Sequence, residues 1–470
     1  MDGHGVGGAA GTLEAPGSRG AIPKCEVVGI DERAPVLGGR WVPYVNLDNA
    51  ATTPALHAVV DAVADLLPLY SSVHRGTGYK SRVSTAAYER ARAAVGAFVG
   101  ADPERDVVVF GKNTTEAVNT LAASLAVEPG SVVLTTLLEH HSNDLPWRER
   151  ARVVHVGARS DGTLDGDDLD RQLRRWAGRI ALVAVTGASN VTGVVPPVHD
   201  LAERVHAAGG RILVDAAQLA AHRPLDMRPH DDPGHLDFVA LSAHKMYAPF
   251  GTGALIGRRD GLGSRPHHAG GGTVRAVTLD DVVWADLPDR QEGGSPNVVG
   301  AVALAAATRR LDEVGLDRVA AHEQALTAYA LDRLGRVPGV RLHGPVGEGA
   351  AARKVGVVPF TLDGQDSGLV AAALGYEHGI GVRSGCFCAQ PYIAHLLELS
   401  AGEVLGHGRS TSLAGAVRLS LGAYNDTADI DRAVEAIELV AAGAVRGTYV
   451  RGPDGSWAPH GHREPPPAAG

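Results

Sequence analysis

Short runs of valine, isoleucine and leucine alternate with stretches of helical periodicity between residues 107 and 256. Runs without a polar face predict strands that are buried on both sides. Such strands with intervening helices are typical of an α/β fold with a mainly parallel sheet. We expect seven strands in this sheet, at 107–110, 132–135, 153–156, 180–185, 212–214, 238–241 and 254–256.

The pattern changes after about residue 310, where a long helical stretch at 313–334 precedes apolar runs at 340–343 and 354–358 and a closing helix at 428–442. This order predicts a second, smaller α+β domain. The Gly/Ala-rich start and the Pro/Gly/His-rich end of the chain predict disordered tails. The expected organisation is a tail at 1–22, an N-terminal segment at 23–64 that packs with the small domain, a large domain at 65–308, a small domain at 309–446 and a tail at 447–470.

Composition excludes several classes of protein. The net charge of the 470 residues is -9 and only 4% are aromatic, which argues against nucleic acid or an anionic membrane surface as a partner. The chain has no apolar run of about eighteen residues, and its N-terminus lacks the pattern of a secretory signal. We therefore expect a cytoplasmic protein without a membrane segment. The three cysteines, Cys25, Cys386 and Cys388, are too few for a disulfide framework.

A lysine stands at the end of an apolar strand. Lys245 closes the run at 236–245, and a lysine at the buried end of a strand is costly unless it is used. The run at 211–214 ends in the same way, in Asp215. Because ligands of open α/β sheets bind outside the carboxyl ends of the strands, we expect these two side chains to share a site. A lysine that can form a Schiff base and an aspartate that can hold a protonated pyridine nitrogen indicate pyridoxal 5′-phosphate (PLP).

Polar side chains that suit this cofactor follow the other strands. Thr114 and Thr115 open a helix, where free N–H groups favour a phosphate. His140 and His141 are adjacent imidazoles, and one of them, expected to be the catalytic His140, could stack on a pyridine ring and shuttle protons. Taken alone, these are ordinary features such as a helix cap or loop histidines, and adjacent histidines cannot readily share one metal ion. Further donors after strands are Asn190, Gln218, Ser242 and His244.

Short motifs occur in a particular order along the chain: DNAA at 48–51, VHRG at 73–76, TTE at 114–116, EHHSN at 139–143, SNVTG at 189–193, DAAQ at 215–218, SAHK at 242–245, GSPN at 294–297, RSGCFCAQP at 383–391 and RLSL at 418–421. Their types and order resemble the fold-type-I PLP enzymes of the class V aminotransferase group, and within it the cysteine desulfurase and selenocysteine lyase branch. The resemblance covers most of the chain. It implies PLP fold type I, with a large PLP-binding domain and a small domain that carries a cysteine loop.

The resemblance implies cofactor contacts for individual residues. Lys245 would be the Schiff-base lysine, Asp215 would contact the pyridine nitrogen, and Gln218 would contact the phenolic oxygen. His140 would stack on the ring, and Asn190 belongs to the cofactor-binding set. The phosphate would be bound by Thr114, Thr115, Ser242 and His244 of one subunit and by Ser295 of the other subunit in a homodimer.

The resemblance also implies how a substrate is bound. Arg418, assisted by Asn190, would hold the substrate's carboxylate, because a guanidinium can make a two-pronged, charge-assisted hydrogen bond to it. The other residues expected to bind substrate are Arg383 and His74. Metal ligands are not expected.

The cysteine loop distinguishes between reactions. Cys388 aligns with the thiol that attacks the sulfur of a cysteine substrate, which leaves a persulfide on the enzyme and releases alanine, and Arg383 could favour its thiolate. Cys386 and Phe387 differ from many housekeeping desulfurases and are more similar to molybdenum cofactor sulfurases. An insertion that includes Arg409 could reshape the entrance to the site.

The leading hypothesis is a PLP-dependent cysteine desulfurase that converts L-cysteine to L-alanine with a persulfide on Cys388. Its expected partners are an amino acid substrate, a second copy of the chain and a sulfur-acceptor protein. A PLP lyase that performs β-elimination on a cysteine conjugate, an epimerase and an aminotransferase of specialised metabolism are the alternatives within the PLP enzymes. A non-catalytic sulfur carrier or scaffold is the alternative outside them.

Overall fold

The computed structural model describes residues 20–125, 127–404, 415–453 and 455–462. Its strands are β1 (Arg33–Val36), β2 (Arg40–Pro43), β3 (Val45–Asn46), β4 (Asp106–Gly111), β5 (Val132–Thr136), β6 (Arg152–Val156), β7 (Ile180–Thr186), β8 (Ile212–Asp215), β9 (Phe238–Ser242), β10 (Gly253–Arg258), β11 (Val274–Val277), β12 (Val282–Trp284), β13 (Val340–Leu342), β14 (Val357–Leu362), β15 (Ile380–Gly381), β16 (Arg383–Gly385), β17 (Ala416–Ser420), β18 (Tyr449–Arg451) and β19 (Trp457–Pro459). Its α-helices are α1 (His57–Leu66), α2 (Tyr79–Phe98), α3 (Thr114–Ser124), α4 (Leu145–Arg148), α5 (Gly166–Trp176), α6 (Val198–Ala207), α7 (Val298–Val314), α8 (Leu316–Gly335), α9 (Ser367–His378), α10 (Gln390–Leu396), α11 (Ala401–Val404) and α12 (Thr427–Ala441).

A seven-stranded sheet confirms the predicted α/β fold. Its strand order is β4-β10-β9-β8-β7-β5-β6. Strand β10 is antiparallel to both of its neighbours, and the other neighbouring strands are parallel. Strands β5, β8 and β9 are buried at every position, since apolar side chains pack on both faces of the sheet. The parallel strands β7, β8 and β9 therefore deliver the residues that follow them to one edge.

A second sheet, with the order β13-β14-β17-β16, lies in the C-terminal part of the chain. Its strand pairs are antiparallel. Helices α8, α9 and α12 pack apolar side chains with those of β14 and β17 in one cluster. The cysteine loop follows β16, and β16 is paired with β17, which carries Arg418. The limits inferred from the sequence for the large and the small domain stay predictions.

Two predicted elements differ from the observed ones. The helical stretch at 313–334 is divided, because α7 ends before Gly315, which has a φ of 85°, and α8 begins after it. The apolar periodicity continues on both sides of this glycine, so the pattern does not reveal the break. The strand predicted at 354–358 begins later, at Val357, and Lys354 instead forms an isolated bridge with Val194.

The N-terminal segment packs with elements of both the predicted large domain and the predicted small domain. Strand β3 pairs in parallel with β15, whereas α1 packs against α7. The prediction that a disordered tail extends to residue 22 is wrong for its last residues. Ala21 and Ile22 are buried, and the N–H of Ile22 donates to the carbonyl of Ala423 at 3.1 Å. Two small apolar residues at the end of a Gly/Ala-rich stretch are too weak a signal to predict this docking.

The prediction of a disordered tail at 447–470 is wrong for residues 447–453 and 455–462, which the structure describes. Strands β18 and β19 form an antiparallel hairpin. The indole N–H of Trp457 donates to Asp366 Oδ1 at 3.0 Å, and the hydroxyl of Tyr449 donates to Glu377 Oε1 at 3.0 Å. Two aromatic side chains thus attach the hairpin to α9, although the Pro/Gly-rich composition around them predicts no packed structure.

Candidate active site

A cleft of about 270 Å³ lies where the carboxyl ends of β7, β8 and β9 meet the cysteine loop and β17. Most residues predicted to bind cofactor or substrate line it, namely Thr114, Thr115, His140, Asn190, Asp215, Gln218, Ser242, His244, Lys245, Arg383, Cys388 and Arg418. The strand-end residues and the cysteine loop are therefore brought to a single cavity. The lining residues without a predicted role are Ala50, Ala51, Asn113, Ser142, Thr186, Ala188, Ala217 and Phe387.

Lys245 lies beside two polar groups that follow β8. It ends a short 3₁₀ turn directly after β9, and its Nζ donates to Gln218 Oε1 at 3.2 Å. Burial lowers the pKa of Lys245 to about 8, while the nearby Asp215 opposes that shift. Burial also raises the pKa of Asp215, whose Oδ1 accepts a hydrogen bond from the Ala217 N–H at 3.0 Å. The lysine can therefore exchange a proton near neutral pH.

His140 presents a neutral imidazole to the cleft. The ring nitrogen Nδ1 accepts a hydrogen bond from the Ser142 N–H at 3.1 Å, which caps the short turn His141–Asn143. Burial lowers the pKa of His140 to about 3, and the positive charge of Lys245 acts in the same direction. A ring that is neutral at physiological pH is suited to stacking on an aromatic ligand.

Glu139 accepts hydrogen bonds that hold the turn on which His140 lies. The sequence did not indicate this role. Glu139 is 3% exposed and accepts hydrogen bonds from Thr136 Oγ1 at 2.6 Å, the Thr186 N–H at 2.9 Å and Asn143 Nδ2 at 2.7 Å. Burial raises the pKa of Glu139 to about 8. These bonds join the turn after β5 to the end of β7. The sequence feature that could have indicated this role is the position of a glutamate between an apolar strand and the two histidines.

The N-terminus of α3 forms one end of the cleft together with hydroxyl groups. The helix begins at Thr114, and Asn113 caps it by accepting a hydrogen bond from the Glu116 N–H at 3.1 Å. Ser242 Oγ accepts from the Thr114 N–H and donates to Thr114 Oγ1, both at 2.9 Å. Thr115 Oγ1 lies 2.6 Å from a second serine hydroxyl, that of Ser142. Helix N–H groups and hydroxyl donors of this kind suit a phosphate.

Arg418 is held between the two sides of the cleft. It is 2% exposed, its Nη2 donates to Asp48 Oδ1 at 3.0 Å, and its Nη1 donates to the carbonyl of Asn190 at 2.9 Å. The buried Nε of Arg418 has no hydrogen-bond partner among the described residues. Arg383, whose side chain is half exposed, contacts the other oxygen of Asp48 at 3.1 Å. The guanidinium therefore keeps a donor that an anionic ligand could use.

The cysteine loop places its two thiols differently. Cys388 is exposed and lines the cleft, whereas Cys386 is partly buried and lines a separate small pocket. Burial raises the pKa of the Cys386 thiol. The side-chain amide of Asn190 donates to the carbonyl of Phe387 at 2.8 Å, so in this structure it contacts the loop. Arg409 lies outside the described residues.

His74 and Ser295 do not line the cleft of this single chain. His74 is exposed, with its Nε2 3.5 Å from Glu89, and Ser295 is exposed in the loop before α7. The neighbouring Arg75 contacts the carbonyl of Val274 in β11. Large apolar side chains are exposed on the nearby elements α2 and β11–β12, namely Tyr79, Val277, Leu279, Val282 and Val283.

A cluster of two histidines and a carboxylate lies away from the cleft. Among the described residues, the group of histidines and carboxylates close enough to share an ion is Asp106, His230 and His235. It lies at the amino end of β4, away from the cleft, and His230 Nε2 is 2.9 Å from Asp106 Oδ1. The ring Nδ1 of His235 donates to the carbonyl of Arg228 at 2.8 Å. These hydrogen bonds fix the loop that leads into β9.

Comparisons with known proteins agree with the geometry of the cleft. The family model Aminotransferase class-V matches residues 45–433. A cysteine desulfurase of Haloferax volcanii is 37% identical over 84% of this chain and 89% of its own length. The apo structure of a cysteine desulfurase from Thermococcus onnurineus has a TM-score of 0.75 at 32% identity, covering 85% of this chain and 95% of that one. The cysteine desulfurase CsdA from Escherichia coli has a TM-score of 0.71 at 29% identity, covering 86% and 96%. The chain therefore belongs to the class V aminotransferase family, whose members are PLP-dependent enzymes.

Proposed function

We propose that this protein is a cysteine desulfurase that converts L-cysteine to L-alanine and takes the sulfur as a persulfide on Cys388. The observation that carries the proposal is the presence of an exposed thiol in the same cleft as Lys245, Asp215 and Arg418. The similarity to cysteine desulfurases over most of the chain supports the same activity.

The residues of the cleft fit PLP. Asp215 would contact the pyridine nitrogen, Gln218 the phenolic oxygen and His140 the ring face, while Lys245 would bind the cofactor covalently. The start of α3 supplies the N–H and hydroxyl groups that a phosphate needs, from Thr114, Thr115, Ser242 and His244. When bound, PLP supplies an electron sink that weakens the bonds at the α-carbon of an amino acid.

Arg418 and Lys245 would perform the first tasks on the substrate. Arg418 would hold the α-carboxylate, because its buried Nε is an unused donor and burial strengthens a charge-assisted hydrogen bond. Lys245 would move the proton of the α-carbon, since its lowered pKa makes the neutral amine accessible near neutral pH.

Cys388 would then take the sulfur. Its thiolate attacks the sulfur of the substrate, an S–S bond forms and the C–S bond breaks. The electron pair of the C–S bond stays with the substrate's β-carbon, which gains a proton and leaves as part of alanine. L-cysteine and a thiol thus become alanine and a persulfide without an added oxidant or reductant. The exposure of Cys388 supports later transfer of the sulfur to an acceptor protein.

A homodimer would explain the two predicted residues that lie outside the cleft. Ser295 and His74 are near the exposed apolar side chains of α2 and β11–β12, a surface suited to association. Ser295 would reach the phosphate in the partner subunit, and His74 would approach the partner's substrate. No helix among the described residues could span a membrane. The free cysteines support a reducing, cytoplasmic setting.

The test is the identity of the organic product. Purified protein loaded with PLP is incubated with L-cysteine, and the amino acid and keto acid products are separated. The mass of the peptide that contains Cys388 is then measured by mass spectrometry. Alanine in amounts that match the transferred sulfur, with one extra sulfur atom on that peptide, is the expected result. Pyruvate and ammonia would contradict the proposal and indicate a lyase.

A further inference from the structure

The loop that carries Cys388 has a rare backbone conformation at two consecutive residues. Phe387 and Cys388 both have a φ of 53°. This is the left-handed region, which costs free energy for residues with a side chain, above all for a bulky one. Such a conformation persists only where contacts with the surroundings hold it. The contacts around Phe387 therefore help to determine where the backbone of Cys388 lies.

Phe387 is held by groups from outside its own loop. It is 8% exposed and packs in an apolar cluster with Leu138 and Val191. The guanidinium of Arg418 lies 4.9 Å from the centre of its ring, within the range of a cation–π contact. The carbonyl of Phe387 accepts the hydrogen bond from Asn190 Nδ2 at 2.8 Å.

The backbone of Cys388 is fixed on its other side as well. Its carbonyl accepts a hydrogen bond from the His141 N–H at 2.7 Å. The chain is thus attached to the wall of the cleft just before and just after the α-carbon of Cys388, although the thiol itself is exposed. The two hydrogen bonds are accepted by backbone carbonyls of the loop. The packing of the ring, in contrast, depends on the side chain of Phe387.

We propose that Phe387 is a positioning residue for sulfur transfer: its buried ring sets the backbone of Cys388 so that the thiol meets the sulfur of a substrate held by Arg418. Because the same guanidinium contacts the ring, one packed contact fixes the spacing between the carboxylate site and the thiol. A misplacement of about 1 Å can lower a rate by about a hundredfold. This role rests on the proposed function, since it assigns the ring to the attack of the thiol on sulfur.

The test compares Phe387→Gly with Phe387→Leu in PLP-loaded enzyme. Glycine adopts a φ of 53° without strain, so Phe387→Gly removes the ring and leaves the backbone conformation accessible. Leucine keeps an apolar side chain in the cluster. Cys386→Ala is the control, because it shortens a side chain at the edge of the same cluster and leaves the ring of Phe387 in place.

Four quantities are measured in each variant. These are the change in cofactor absorbance on addition of L-cysteine, the persulfide on Cys388, kcat and KM for alanine formation, and the rate of Cys388 alkylation by iodoacetamide without substrate. We expect Phe387→Gly to lower kcat by about ten- to a hundredfold. It should change KM by less than about twofold. The absorbance change should persist, and the freed thiol should be alkylated faster.

The variants distinguish the positioning role from a structural one. Phe387→Leu should keep more of the wild-type kcat than Phe387→Gly, and Cys386→Ala should match the wild type. Unchanged kcat and unchanged alkylation in Phe387→Gly would overturn the role of Phe387. A wild-type enzyme that makes pyruvate instead of alanine would overturn the proposed function. The alkylation measurement does not depend on the reaction. Equal alkylation rates in Phe387→Gly and wild type would therefore refute the placement of the thiol by the ring in either case.

Discussion

The two walls of the cleft are built in different ways. One wall consists of residues that follow β7, β8 and β9, and its side chains extend from strands that lie in the main core. The other wall is the cysteine loop between β16 and α10, where Phe387 and Cys388 depend on a few contacts for a left-handed backbone. The fold itself thus sets the position of Lys245 and Asp215, whereas local contacts set the position of Cys388.

The walls also differ in electrostatics. Burial in the strand-end wall lowers the pKa of His140 to about 3 and that of Lys245 to about 8. In the loop wall, Cys388 is exposed, and burial raises the pKa of its neighbour Cys386. A buried thiol that resists ionisation is the weaker nucleophile candidate. This contrast supports the proposal that Lys245 moves the proton and that Cys388, rather than Cys386, takes the sulfur.

The largest expected effect comes from the strand-end wall. Lys245→Ala removes both the group that would bind PLP covalently and the base, so alanine formation should fall on the order of a thousandfold. The measurement is alanine produced from L-cysteine, together with retention of the cofactor's absorbance after dialysis. Arg336→Ala, at an exposed cation directly after α8, is the control and should behave as the wild type. Equal activity of both variants would refute the assignment of Lys245.

Substitutions in the loop wall should lower activity without lowering cofactor binding. Cys388→Ser should retain the cofactor's absorbance but lose alanine formation by about a hundredfold or more, because a hydroxyl is a far weaker nucleophile than a thiolate. Cys386→Ser is the matched variant, two residues away, and should keep most of the activity. The measurements are alanine formation and the persulfide on the loop peptide. A greater loss from Cys386→Ser than from Cys388→Ser would reverse the assignment of the two thiols.

The strand-end wall could be predicted from the sequence for a physical reason. Buried parallel strands appear as continuous apolar runs, and the residues that follow them meet at one edge of the sheet. Lys245, Asp215 and Gln218 could therefore be expected in one site before any distance was known, and they line the same cleft. Ser295, for which the resemblance implies a contact across a dimer, lies outside the cleft of the single chain.

The rest of the site depends on contacts between distant parts of the chain. Asp48 lies in a recognisable motif, but its pairing with Arg418 and Arg383 joins residues more than three hundred positions apart. The support that Glu139 gives to the turn at His140 and the left-handed backbone at Phe387 are likewise invisible to periodicity. The C-terminal hairpin was missed because composition describes a segment's average and not its anchoring tryptophan.

A smaller effect is expected where the two walls meet, at Arg418. Arg418→Lys keeps a positive charge beside Asp48 but loses the planar fork, so kcat/KM for L-cysteine should fall by about 10- to 100-fold, mainly through KM. Arg383→Lys is the comparison, because its side chain is half exposed and should matter less. Steady-state kinetics of both variants make the measurement. A larger loss of kcat/KM from Arg383→Lys than from Arg418→Lys would indicate that the substrate's carboxylate binds at the loop wall.

The smallest effect on turnover should come from Glu139→Gln, behind the strand-end wall. Because burial raises the pKa of Glu139 to about 8, its carboxyl is mostly protonated at pH 7, and a neutral amide should keep activity within about threefold. The folded state holds a proton that the unfolded state has released above its ordinary pKa of 4.5. The stability from Glu139 is therefore present at low pH and is lost as pH rises towards 8. Urea unfolding at several pH values should show a steeper loss of stability in wild type than in Glu139→Gln, since Asp215 and Lys245 titrate in both proteins. Parallel curves for the two proteins would mean that Glu139 is ionised in the folded state and that the strand-end wall holds a buried charge.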